Sequence, residues 1–104
     1  MKPGQVTLDP TQTETVIRLE GPLDAAEAEF LRELLDAFAT SAEMPVVVDL
    51  SRVHWIDSIG VGVLIAADAA FRRQGRRLQL RSPRPPVTQV LELTGITARL
   101  RIDW

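Results

Sequence analysis

The chain has 104 residues, 45% of them hydrophobic and 25% charged, with a formal net charge of −2. That suffices for one domain with one core and not for two, so residues 1–104 read as a single soluble domain. The absence of cysteine excludes a disulfide framework, a thiol nucleophile and a cysteine-ligated metal, and one histidine, His54, cannot build a metal site alone.

The charge is unevenly spread: residues 1–50 hold 10 acids against 3 bases, and residues 51–104 hold 4 acids against 9 bases. A nucleic-acid surface would need a continuous basic stripe with aromatics between. Arg72, Arg73, Arg76 and Arg77 instead cluster where a helix ends, and there cations complement the helix dipole. Nucleic-acid binding is therefore not expected, whereas electrostatic steering of a protein partner is. The longest apolar run, 59–67, is under half of the roughly 20 residues that a membrane span needs. The start M-K-P-G-Q-V-T has no apolar signal core. A cytoplasmic location without membrane insertion is expected.

Two short strands are predicted first, over Val6–Leu8 and Thr15–Leu19, joined as a hairpin through Asp9-Pro10 and a polar T-Q-T, with Gly21-Pro22 stopping the second. Asp24 then opens a helix, with Glu27 three residues on as in a capping box. Phe30, Leu31, Leu34, Leu35 and Phe38 recur on one face of that helix, opposite a solvated face of Glu27, Glu29, Arg32, Glu33 and Asp36. Pro45 opens a strand carried by Val46, Val47, Val48 and Leu50. This β-branched run barely alternates, so it should be covered on both faces.

A tight joint, Asp57-Ser58-Ile59-Gly60, leads into the next helix. Ser58 is a natural N-cap, and Asp57 adds negative charge at the positive end of the helix dipole. Gly60 and Gly62 each cost about 1 kcal/mol of helix propensity, which hints at close approach to the backbone there. On a helical wheel Ile59, Val63, Ala66, Ala67, Ala70 and Phe71 share one side. Ser58, Val61, Ile65, Asp68 and Arg72 share the other, and the two charges mark it as wet. Val61 and Ile65 then form an apolar patch in line with the serine, unless a loop or helix covers them.

Gln74-Gly75 ends this helix with glycine in a left-handed position, and Arg77–Arg81 alternates as a strand. Prolines 83, 85 and 86 lead into a short helix holding Val87, Val90, Leu91 and Leu93, ended by Thr94-Gly95. Leu100 and Ile102 mark a last strand. A hairpin followed by alternating helix and strand implies an α/β domain with a mixed sheet.

Little else suggests chemistry. Ser58 lacks the G-x-S-x-G elbow, since Ile56 stands where the first glycine belongs. Gly60 and Gly62 lack the G-K-[ST] of a phosphate loop, though a small ligand or nucleotide at 57–62 stays open as a minor reading. His54 reads as a surface or half-buried residue rather than a catalytic one, Asp49 and Asp57 as caps or turns rather than metal ligands, and Trp55 as core or loop packing. On these patterns alone Ser58 is most simply a helix cap.

The run V-V-D-L-S-R-V-H-W-I-D-S-I-G-V-G-V-L resembles the core motif of the STAS domain, in particular of bacterial anti-sigma factor antagonists. G-P-L-D at 21–24, the arginine-rich turn before Leu78 and L-E-L-T-G-I at 91–96 extend the likeness over most of the chain. The departure is Ile59, where relatives often carry a small or hydroxylated residue, which bears on partner choice. The resemblance implies a four- to five-stranded sheet with helices mainly on one face, and Ser58 as a phosphorylation site. It implies no catalysis by the chain itself and no cofactor or metal of its own. The unphosphorylated form would bind an anti-sigma factor serine kinase and release a sigma factor. That kinase would phosphorylate Ser58 with ATP and Mg²⁺ that it supplies itself, and a serine phosphatase would reset the switch. Partner contacts are expected from Asp57, Ser58, Ile59, Gly60, Val61, Gly62, Ile65, Asp68 and Arg72. The alternative is a non-switching STAS subunit of a membrane-associated lipid- or anion-transport complex, with Ser58 only a cap.

Overall fold

The computed structural model describes residues 7–10, 13–41, 44–95 and 100–104. Its elements run β1 (Thr7–Pro10), β2 (Thr15–Leu23), α1 (Ala25–Ser41), β3 (Val46–Ile56), α2 (Ser58–Arg73), β4 (Leu78–Arg81), α3 (Val87–Leu93) and β5 (Arg101–Asp103). The sheet has the order β1-β2-β3-β4-β5; β1 is antiparallel to β2 and every other pair is parallel.

β3 is the centre, as its β-branched run implies. Val46, Val47, Val48 and Leu50 are all fully buried. Alternation along the strand sends Val46, Val48 and Leu50 into the main core, with Leu31 and Leu35 of α1 and Leu64 and Phe71 of α2. Val47 points to the other side, as does Val16 of β2, its partner in register. Each fully buried side chain of this size contributes about 1.5–3 kcal/mol.

Several boundaries differ from expectation. Val6 lies outside the described residues. Asp9 and Pro10, expected as a turn, are strand residues opposite Val16 and Thr15. Gly21-Pro22 does not stop β2. The strand continues to Leu23 through two register shifts, Gly21 taking a positive φ of 96°, a backbone state that glycine adopts without steric cost. That extension gives β3 a longer partner: Arg52, Val53, Trp55 and Ile56 pair with Glu20, Gly21, Pro22 and Leu23. The expected loop before α2 thus shrinks to one residue, Asp57.

In α1 the buried stripe is Ala28, Leu31, Leu35 and Ala39, while Phe30 is exposed. Leu93 of α3 is exposed as well, with Val87 and Leu91 carrying the burial. The arginine cluster also has a different use. Arg76 donates from Nη1 to the carbonyls of Phe38 (2.8 Å) and Ala39 (3.3 Å), and from Nη2 to that of Met44 (2.8 Å). Its guanidinium lies 4.7 Å from the Phe71 ring centre. It therefore satisfies carbonyls at the end of α1 and just before β3, not of its own preceding helix.

Candidate functional site

β3 ends at Ile56 and α2 begins at Ser58, so Asp57 alone makes the turn. Its backbone is extended (φ −106°, ψ −177°), and its Oδ1 accepts the Gly60 N–H at 3.0 Å. Its carbonyl accepts the Val61 N–H at 3.0 Å, the first helical bond. Asp57 is therefore the N-cap, and Ser58, expected in that role, is the first helical residue. The correction has a functional side: the Ser58 hydroxyl is not the capping group, and Ser58 is exposed.

The two glycines of the first turn do different work. A Cβ on Gly60 would stand 2.7 Å from the carbonyl oxygen of Leu23 and 2.9 Å from Cγ1 of Ile56. Only glycine lets α2 start this close to the end of β2. Gly62 is exposed, and a Cβ there would meet nothing within 4 Å. Its cost in helix propensity has no return inside the domain.

The nine residues expected at the partner face divide. Ser58, Ile59 and Gly62 are exposed, Ile59 at 52%. Asp57 and Ile65 are half-buried, and Arg72 is exposed. Gly60, Val61 and Asp68 are buried, which corrects the wet face drawn through Val61 and Asp68. The buried arc of α2 is centred on Leu64, with Val61, Val63, Ala67, Asp68 and Phe71 around it. The misplacement arose because Asp68 is charged yet sits inside: it accepts the Leu78 N–H at 3.1 Å and pairs with Arg72 Nε at 2.9 Å and Arg77 Nε at 3.4 Å. A buried carboxylate needs such partners. Near it, Ile65, Asp68, Ala69, Arg72 and Leu100 line a groove of about 190 Å³.

Trp55 is 48% exposed, two residues before Asp57. It is not the packing residue expected: His54 and Trp55 are both exposed, and only Ile56 turns inward. Among the described residues no group of acids and histidines could hold a metal ion. No helix of the described residues is long and apolar enough to cross a membrane.

The chain is similar to known proteins. Residues 6–102 match the family model described as Mlab, STAS domain. BtrV of Bordetella bronchiseptica is 31% identical over 91 residues, 88% of this chain and 78% of that one. The anti-sigma-B factor antagonist of Listeria monocytogenes is 27% identical over 86 residues, 83% of this chain and 75% of its own. The anti-sigma factor antagonist SpoIIAA in its unphosphorylated form superposes with a TM-score of 0.80 at 24% identity, over 95% of this chain and 88% of that one. The Bacillus SpoIIAA structure in the phosphorylated form gives 0.72 at 23% identity, over 95% and 91%. The family model spans the sheet from before β1 into β5 and includes the β3–α2 joint, so the chain belongs to the STAS domain family.

Proposed function

We propose that this protein is an anti-sigma factor antagonist controlled by phosphorylation of Ser58. Unphosphorylated, it binds an anti-sigma factor that is also a serine kinase, and the sigma factor is released. The kinase brings ATP and Mg²⁺, phosphorylates Ser58 and loses its hold; a phosphatase restores the bound state. The protein is then substrate and regulator, without catalysis of its own, and works in the cytoplasm.

The observation that carries this reading is that Ser58 is exposed in the first turn of α2, beside exposed Ile59 and one turn before the bare, exposed backbone of Gly62. A kinase can reach a hydroxyl there, and a partner can lie close against the helix at Gly62. Phosphate adds about −1.5 to −2 charges. At the start of α2 the helix dipole tolerates that charge, so the fold should survive. The contact surface should not: a dianion next to the Asp57 carboxylate and the apolar Ile59 side chain would have to be desolvated against a partner fitted to a neutral hydroxyl. Val61, being buried, has no part in this surface; Ile65 and Arg72 extend it along the helix.

The test is intact-mass measurement of the protein taken from its own cells, with peptide mapping across Asp57–Arg72. One added phosphate on Ser58, absent in Ser58→Ala, and partner binding that Ser58→Ala retains in the presence of kinase and ATP, are expected. Absence of phosphate under every growth condition would favour the fixed STAS subunit.

A further inference from the structure

Trp55 is exposed because β3 breaks its own alternation. Val53 points into the core, so plain alternation would put His54 out, Trp55 in and Ile56 out. The register prevents this. β3 advances from Val53 to Trp55 while β2 advances only from Gly21 to Pro22. His54 is the extra residue of a bulge, matched in β2 by Gly21 at φ 96°. His54 and Trp55 both stay exposed, and Ile56 turns into the core. Bulges next to functional sites re-aim a side chain. This one turns a tryptophan out of the core just before the Asp57 cap.

The partner of Trp55 in register is Pro22, which is exposed as well. Neighbouring strands lie about 4.8 Å apart, so two apolar side chains share the sheet face turned away from the core. The preceding outward pair on the same two strands, Glu20 and Arg52, is an exposed ion pair at 3.5 Å. An apolar centre with a polar rim is the anatomy of a protein–protein contact. At its other end the patch meets the Ser58 joint. Asp57 alone separates β3 from α2, and Ser58 and Ile59 beyond it are exposed.

We propose that Trp55 is an anchor for the anti-sigma factor, seated in an apolar slot of that partner with an acceptor for the indole N–H. The inference rests on the function proposed above. It carries the contact surface from the start of α2 across the joint onto the outer face of the sheet. Continuity with Ser58 selects this occupant over a second copy of the chain, since a partner lying over Ser58 and Ile59 has Trp55 at its margin.

The experiment labels the full chain with 5-fluorotryptophan and follows the Trp55 ¹⁹F resonance, assigned with Trp104→Phe. The probes are the anti-sigma factor kinases encoded in the same genome, each purified and added unlabelled without ATP. On binding, the Trp55 resonance should shift and lose its H₂O/D₂O solvent isotope effect. Trp55→Ala should weaken binding by about tenfold or more, and Trp55→Phe, which keeps an aromatic ring, by less. The resonance needs no substitution at position 55, so a poorly folded Trp55→Ala would not spoil the test. A kinase that binds while the Trp55 resonance stays put, or with an affinity that Trp55→Ala leaves intact, overturns the anchor and leaves the proposed function standing. If no kinase binds even Ser58→Ala, that function falls and the anchor with it. A Trp55 shift that grows with the concentration of this chain alone assigns the patch to a second copy and likewise overturns the proposal.

Discussion

Asp57 Oδ1 and the Gly60 N–H, 3.0 Å apart, decide what Ser58 is free to do. Had Ser58 capped α2, its hydroxyl would be turned back on the helix and its modification would break the cap. With the cap made by the preceding carboxylate, the hydroxyl is spared. Asp57→Ala should cost about 1 kcal/mol, read as a lower urea midpoint with an unchanged slope, and Asp57→Asn should keep most of the lost stability. Ser58→Ala should change stability by less than Asp57→Ala does. Equal losses at both positions would return the cap to Ser58.

Gly60 and Gly62 should answer to alanine with opposite signs. At Gly60 the new methyl meets the Leu23 carbonyl at 2.7 Å, a backbone atom that cannot step aside. A loss of about 1–3 kcal/mol is expected from such overpacking. At Gly62 the space is open, and alanine should add up to about 1 kcal/mol through helix propensity. If the partner docks as proposed, Gly62→Ala should nevertheless weaken binding. A more stable variant with weaker binding, measured by thermal unfolding and by titration with the partner, would tie Gly62 to the interface and not to the fold.

The sequence was informative where a pattern is local and repeats. The run Val46–Leu50 disclosed a strand covered on both sides, and Gly75 and Gly95 marked helix ends at positive φ. It misled where a partner far along the chain decides. β3 runs on to Ile56 only because β2 extends past Gly21 to pair with it, and nothing within 51–56 says so. Arg76 belongs to the end of α1, 38 residues earlier. The wheel for α2 was turned by a charge: Asp68 was read as solvent-facing, when Leu78, Arg72 and Arg77 make its burial possible. That error moved Val61 outward and Ile59 inward, and so exchanged a core residue for a surface one at the site. Ser58, expected as the cap, is the first helical residue, one position further on.

Asp68 joins the helix that carries Ser58 to the first residue of β4. Asp68→Ala leaves the buried Leu78 N–H without its acceptor, and a cost of about 1–3 kcal/mol is expected. Arg72 and Arg77 are half-exposed along their side chains and can return to water, which keeps the loss below that of a fully buried broken pair. Asp68→Asn retains an acceptor oxygen and should recover part of the difference. In hydrogen exchange, Leu78 should lose protection in Asp68→Ala and keep more of it in Asp68→Asn. Unchanged protection in both would show that the carboxylate does not hold the strand.

A row of alternating charge crosses the sheet in register, Arg18 beside Asp49, Asp49 beside Arg81 and Arg81 beside Asp103. Arg81 reaches past this row to Glu14, at 2.8 and 3.1 Å from its two oxygens. This hydrogen-bonded pair holds the Glu14 carboxyl below its ordinary value of 4.5. The folded state therefore prefers the charged form. The stabilisation is complete above the ordinary carboxylate value and is lost as pH falls through the lower, folded one. Because both side chains remain partly in solvent, the pair should be worth no more than about 1 kcal/mol. Glu14→Gln should lower stability at neutral pH by that amount and flatten the fall as pH drops below the ordinary carboxylate value. The two unfolding curves should converge in acid. Parallel curves across that range would assign the acid sensitivity to other carboxylates.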